Sequence, residues 1–375
     1  MTTSNKTNEF YGIKYLKEAK YEELNEVLQE IICGIEKLDE KSMLEMQNRM
    51  DSKIKPVKSL GILEDIAQQI AGIQRTSQPI INKKAVLLMG GDHGVVAEGV
   101  SAAPQEITTQ MFYSYLKGGA GINVLANHAG ADLICTDIGI TSLLNPPELM
   151  ANRVKNGTNN MAHGPAMTKH EALLAILTGA KIAAKAIDSG INIIATGEVG
   201  IGNTTPSAAL VSVFTGHSVD EVTGSGTGLK NEALKHKIDI IKQAIEINQP
   251  DKNDPLDVMA KIGGLEIAAL TGAILEAAYR NVPVILDGII STAAALTAAQ
   301  FAPQSAAYMI SSHSSEELGH KLALKQLGLE PRLDFHMRLG EGTGAALMFH
   351  MVEAALKVAD EMATFEAAGV TTGDF

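Results

Sequence analysis

The chain has no tryptophan, only two cysteines and few rings, with 8 phenylalanines and 7 tyrosines among 375 residues. Cys33 and Cys135 cannot form a disulfide framework or a cysteine-rich zinc site. With so few aromatics, the core is expected to be built from Ala, Ile, Leu, Val and Met, with backbones approaching closely where the 35 glycines cluster. No run of about 20 apolar residues is present, which excludes a spanning helix. The opening MTTSNKTNEFYG lacks the apolar stretch of a secretion signal, and the expected location is the cytoplasm. Basic charge is in deficit: 31 Lys and Arg stand against 43 Asp and Glu, a net charge of −12. That balance argues against nonspecific nucleic-acid binding and against adhesion to an anionic membrane. An anionic small molecule, which needs only a few placed donors, remains compatible.

At about 150 residues per domain, the length allows two domains or one large one, enough to bury a core without staples. Residues Lys14 to Met50 are charged and helical in pattern, with Leu24, Val27, Leu28, Ile31 and Ile32 on one face. A second amphipathic stretch runs from Leu60 to Gln74, and the style returns in ALMFHMVEAALKVADEM, ending at Met362. Between them, aliphatic runs recur at Ala85–Met89, Asp132–Thr136, Ile191–Thr196, Pro283–Leu286 and Ala306–Ile310, each leading into a polar loop. Ala-rich helical segments separate these runs. Strands alternating with helices predict an α/β fold: a mainly parallel sheet with Rossmann-like connectivity, flanked by helices. The two chain ends are expected to add a small helical domain, 1–75 with 344–375, to a large catalytic α/β domain, 76–343. Ligands of such sheets bind beyond the carboxyl ends of the strands. Thr141 to Thr168 is long enough to suggest a functional loop.

Four segments carry candidate chemistry. TGEVGIGNTTPSAAL leaves a strand, crosses Gly197, Gly200 and Gly202, and enters a helix that Thr205 is expected to cap, with Pro206 at its first position. Such a helix start presents free N–H groups to an anion. Glu198 in this loop would repel phosphate, so it is expected to face a cationic or hydroxylic part of a ligand; a solvated turn residue is the equal alternative. GSGTGL, Gly224 to Leu229, precedes a helix with Lys230, Lys235 and Lys237, an arrangement able to hold phosphate without matching the Walker order. In GGDHGVVAEGVSAAP, Asp92 and His93 sit at a strand end, suited to orienting loops or binding ribose hydroxyls more than to ligating a metal. In RLGEGTGAAL, Glu341 stands between Gly340 and Gly342 just before the last helix. A carboxylate in such a turn is placed to be a general base with a raised pKa; a helix N-terminal charge is its other role.

In order, GDHGVVAEGVS, the GT…PAMT loop, GEVGIGNTT, GSGTGL, LDGIIST, the SHSSE segment and RLGEGTGAAL resemble the nicotinate-nucleotide:dimethylbenzimidazole phosphoribosyltransferase family, from about Leu60 to Met362. The resemblance implies transfer of a phosphoribosyl group from nicotinate mononucleotide to 5,6-dimethylbenzimidazole, giving α-ribazole 5′-phosphate for the cobalamin lower ligand, and nicotinate. It places the base on Glu341 and a supporting carboxylate near the reacting ribose on Glu198. It gives phosphate contacts to Gly226, Thr227 and Lys237, a nucleotide-site lining to Ser315 and Arg338, and further substrate-binding positions to Gly202, Asn203 and Asp287. The acceptor pocket falls on Ser101, Gln110 and Leu339. It implies small-molecule substrates, a homodimer whose sites border the partner subunit, and neither metal nor redox cofactor. His163, Gly164 and His336 depart from the family pattern. The rival expectations are a Mg²⁺-dependent phosphoribosyltransferase of another class, for which no acidic pair follows a strand, and a noncatalytic nucleotide sensor on the same fold.

Overall fold

The computed structural model describes residues 18–371; the expected helical start at Lys14–Lys17 and the opening segment lie outside the described residues. Five parallel strands form the sheet: β1 (Lys84–Gly91), β2 (Ala131–Gly139), β3 (Ile193–Val199), β4 (Val284–Leu286) and β5 (Met309–Ser311), in the order β2-β1-β3-β4-β5. Lys84 of β1 is in register with Ala131 on one side and Ile193 on the other, and Val284 of β4 with Met309. The chain steps from β1 to β2 in one direction, then returns past β1 to β3. This reversal opens a crevice between the carboxyl ends of β1 and β3, the expected ligand position of a doubly wound sheet.

Helices cover both faces. In chain order the main ones are α1 (Tyr21–Gly34), α2 (Glu40–Asp51), α3 (Ile62–Gln74), α4 (Glu106–Leu116), α5 (Gly121–His128), α6 (Lys169–Asp188) and α7 (Thr204–Thr215). They continue with α8 (Asn231–Asn248), α9 (Pro255–Ile262), α10 (Leu265–Tyr279), α11 (Ile289–Phe301), α12 (Leu318–Gln326) and α13 (Thr343–Glu361). Because side chains alternate across a strand, β1 serves two cores. Ala85, Leu87 and Met89 join α1, α6 and α7 to α11, whereas Val86 and Leu88 join α2 to α5 and α13. Burial of both faces explains why the strand runs carry so little polar alternation.

Small residues let these layers close up. On α6 a side chain at Gly179 would land on the backbone of Ala269 in α10, and one at Gly272 would land on the carbonyl of Ile176. The two backbones therefore touch, which an aromatic-rich core would prevent.

Three details differ from the sequence reading. The Lys14–Met50 pattern breaks after Gly34, and Asp39 caps α2 by accepting the Ser42 N–H at 3.1 Å. The halves then go to opposite faces, α1 against α6 and α10, and α2 with α3 against α13. Pro303 opens a 3-10 turn over Pro303–Tyr308, so of the last aliphatic run, Ala306–Ile310, only Met309 and Ile310 pair as strand, which extends to Ser311. Finally, α7 begins at Thr204 with Asn203 as its N-cap, which makes Pro206 the third helical residue and leaves the Thr205 hydroxyl buried without a partner. Proline is tolerated there because the first-turn N–H groups have no helical acceptor.

Candidate active site

The carboxyl ends of the strands deliver Asp92 and His93 after β1, Asp137 in β2, Glu198 in β3, Asp287 after β4 and His313 after β5. Above β3, β4 and β5 lies a cavity of about 380 Å³ with Glu198 and Glu341 both in its wall. Two sharp backbone approaches bring these residues together. A Cβ on Gly197 would stand 2.6 Å from the Glu341 carbonyl oxygen, and one on Gly340 would stand 2.5 Å from Glu198 Oε1. Only glycine fits at either point. Gly340, Glu341 and Gly342 all have positive φ, at 80°, 62° and 92°. For the glutamate this costs roughly 1 kcal/mol or more. Asp287 holds the strained turn: its carboxylate accepts the N–H groups of Gly342 at 3.1 Å, Gly344 at 2.9 Å and Ala345 at 3.1 Å. It thereby caps α13 from the end of a different element.

The two glutamates differ in environment. Glu198 is 6% exposed and accepts from the Asn203 side-chain amide and, at 3.4 Å, from the Glu341 N–H. Burial, reinforced by the neighbouring charges of Asp287 and Glu266, pushes its pKa up to about 8, which favours the neutral acid at pH 7. Glu341, 7% exposed, receives the Ile122 N–H at 3.1 Å on Oε2, at the first turn of α5, and shares the cavity wall with Tyr115. Burial raises its pKa; the Ile122 and Tyr115 donors oppose that rise, and Asp287 adds to it.

A buried cation borders the cavity. Lys237 of α8 is buried, and its Nζ donates to Thr204 Oγ1 at 2.7 Å. Burial lowers its pKa to about 8, opposed by the charge of Glu317. Across the mouth, the Ala102 N–H donates to Thr227 Oγ1 at 3.0 Å, and the Ser101 and Thr227 hydroxyls lie 3.3 Å apart. Among the described residues, no group of three or more His, Cys, Asp or Glu side chains is arranged to hold a metal ion, and no helix is long and apolar enough to cross a membrane.

A phosphoribosyltransferase family model, DBI_PRT, matches residues 35–370. The chain belongs to that family. It is 51% identical over 349 residues to the nicotinate-nucleotide–dimethylbenzimidazole phosphoribosyltransferase of Desulforamulus reducens, covering 92% of this chain and 99% of that one. The protein of the same name from Geotalea uraniireducens is 48% identical over 350 residues, covering 93% and 99%. A crystal structure of CobT from Thermus thermophilus superposes with a TM-score of 0.85 at 41% identity, over 89% of this chain and 100% of that one.

Of the residues singled out in this phosphoribosyltransferase, Glu198, Glu341, Ser101, Gly202, Asn203, Gly226, Thr227, Ser315, Arg338 and Leu339 line the one cavity. Lys237 borders it through Thr204 and Gly226. Two residues do not line it. Gln110 is exposed on α4, whose inner face instead presents Met111 and Tyr115; the helical period places Gln110 one position off that face. Asp287 is buried beneath the glycine turn, with its oxygens taken by three backbone donors. Asp92 accepts from the Thr141 N–H and hydroxyl, both at 2.8 Å, and His93 Nε2 lies 2.8 Å from Glu266 Oε1. Both orient loops and neither reaches the cavity. The Thr141–Thr168 segment packs behind them, Thr158 N–H on the Asp92 carbonyl and Arg153 on Asp137, and contributes no lining residue. His163, Gly164 and His336 also lie outside the lining. Sequence reasoning missed Tyr115, Thr204, His313 and Glu317. His313 sits inside the SHSSE segment and Thr204 inside GEVGIGNTT, both already quoted, Glu317 directly follows SHSSE, and Tyr115 is one helical turn beyond Met111, so the signals were local but unassigned.

Proposed function

We propose that this enzyme transfers the 5-phosphoribosyl group of nicotinate mononucleotide to a benzimidazole-type base, 5,6-dimethylbenzimidazole in the family's own reaction, yielding α-ribazole 5′-phosphate and nicotinate for the cobalamin lower ligand. The observation that carries this reading is the pairing of Glu341 and Glu198 in one cavity, bordered through Thr204 and Gly226 by a buried lysine. One benzimidazole nitrogen attacks C1′ while the other still carries a proton. The bond from C1′ to the pyridinium nitrogen breaks, and nicotinate leaves with a neutral ring nitrogen, needing no acid. Glu341 takes the benzimidazole proton, so the product is not left cationic. A positioned base of this kind contributes about 10²–10⁴-fold. Attack opposite the leaving group converts a β- into an α-nucleotide.

In this reading Glu198 faces the ribose. The pyridinium of the arriving nucleotide supplies the positive charge that an isolated buried carboxyl lacks, favouring ionisation of Glu198 as the sugar gains oxocarbenium character. Lys237 and the Gly226–Thr227 loop take the 5′-phosphate, and Ser315 and Arg338 line the nucleotide. Ser101, Leu339, Met111 and Tyr115 surround the acceptor. Holding both substrates in line supplies much of the remaining acceleration. We place the enzyme in the cytoplasm, with small molecules as its substrates. We read it as a homodimer, supported by Leu339, which lines the cavity yet is 60% exposed, and by the nearby exposed Phe335. We also read 1–75 and 344–375 as a helical unit on the α/β body 76–343, supported by the packing of α2 and α3 on α13.

The test is nicotinate release from nicotinate mononucleotide, expected only when a benzimidazole is added and expected to drop about 10²–10⁴-fold in kcat in Glu341→Gln, with nucleotide binding retained. Release without acceptor, or full turnover by the variant, refutes the assignment.

A further inference from the structure

Glu317 immediately precedes α12, where a carboxylate ordinarily turns back to the free N–H groups of its own helix. Here it makes no such cap. Its side chain crosses instead to the GSGTGL loop, accepts the Gly226 N–H at 2.8 Å, is 8% exposed and forms part of the cavity wall. The loop is shaped to admit it: any side chain at Gly224 would collide with Glu317 Oε2. Lys237 Nζ lies close by, 3.1 Å from where a Cβ on Gly226 would stand, and Glu317 is the anion that opposes the effect of burial on this lysine.

An internal carboxylate therefore already occupies the loop N–H and faces the ammonium that the proposed reading assigns to the substrate phosphate. A phosphoryl group with up to two negative charges and a carboxylate cannot share one amide in a partly buried pocket, because like charges at hydrogen-bond range repel strongly there. We propose that Glu317 is a resident stand-in for the 5′-phosphate, holding the Gly226 amide while the site is empty and giving it up when the phosphoryl group arrives. The inference rests on the reading of Lys237 and the Gly226 loop as the phosphate cradle. Phosphate binding becomes an exchange of one anion for another. The loop stays ordered between turnovers, and the returning carboxylate competes with the phosphate of the product, which carries the same group as the substrate.

Calorimetric titration of inorganic phosphate at pH 7 tests this, with the unphosphorylated nicotinate riboside as the comparison ligand. Glu317→Gln keeps a carbonyl oxygen for the Gly226 N–H and removes the charge; Glu317→Ala removes the acceptor as well. Both are expected to bind phosphate about ten-fold more tightly than the native protein, with riboside affinity unchanged. Phosphate binding that stays equal or weakens in both variants, while Lys237→Ala still impairs it, overturns the stand-in role alone. Undiminished phosphate binding by Lys237→Ala overturns the cradle reading beneath it. Equal tightening toward the riboside shows that bulk, not charge, is displaced, and also overturns the proposal.

Discussion

Glu198→Gln separates the electrostatic account of the site from a purely steric one, because it changes how stability depends on pH. Moving one buried carboxyl from its ordinary 4.5 to about 8 makes the folded state favour the protonated form by roughly 5 kcal/mol, at about 1.4 kcal/mol per pH unit. Between those two values the folded chain binds more protons than the unfolded chain. The stability this gives is fully present below about pH 4.5 and is lost as pH rises to about 8. Glutamine cannot ionise and keeps the shape. Its carbonyl can accept the Glu341 N–H, and Asn203 can rotate its amide to present an oxygen to the new NH₂ group. Urea denaturation of both proteins at pH 5, 6, 7 and 8, at constant ionic strength, measures the gap. Full expression of the shift between pH 5 and 8 is worth about 3.5 kcal/mol, and allowing for water reaching the carboxyl through the cavity mouth, the native protein should lose about 2–3.5 kcal/mol relative to the variant across this range. Parallel curves for the two proteins would refute the claim that Glu198 is held neutral by burial and by its acidic neighbours.

Tyr115→Phe removes a donor that favours the charged form of Glu341, so the acidic limb of the kcat/KM–pH profile should move to higher pH, with activity at pH 6 falling more than at pH 8; a uniform loss would disprove that role. Asp287→Ala strands three N–H groups at the start of α13, and is expected to cost about 2–4 kcal/mol in denaturant unfolding and to lower kcat with it. Gly272→Ala drives a methyl into the backbone of α6, and should destabilise by at least about 1–3 kcal/mol while leaving the KM of any folded fraction unchanged.

Much of the fold was legible because its signals are local. Aliphatic runs with no polar alternation predict strands buried on both faces, and all five expected strands exist, β5 shifted to begin at Met309 where the Pro303 turn ends. The break after Gly34 was not visible, because α1 and α2 are both amphipathic and nothing in their periodicity says that they serve opposite cores. The site divided in the same way. The glycine-flanked Glu198 and Glu341 stand out as text, whereas Tyr115 and Glu317 sit in stretches that read as ordinary helix and helix start. Asp287 looked like a lining residue because it ends a strand in a motif-like LDGIIST, yet its oxygens are spent on backbone donors 55 to 58 positions away.

By itself the sequence determined the chemistry on offer: which carboxylates stand beside glycines, that a glycine-rich loop precedes a helix with Lys230, Lys235 and Lys237, and that strands and helices alternate. Tertiary structure decided the charge states and the contacts. A carboxyl's pKa depends on its distance from water and from Asp287, Glu266 and Tyr115, and those neighbours come from separate stretches of the chain. Periodicity reports what lies within a few residues, whereas Coulomb energy and desolvation depend on what lies within a few ångströms.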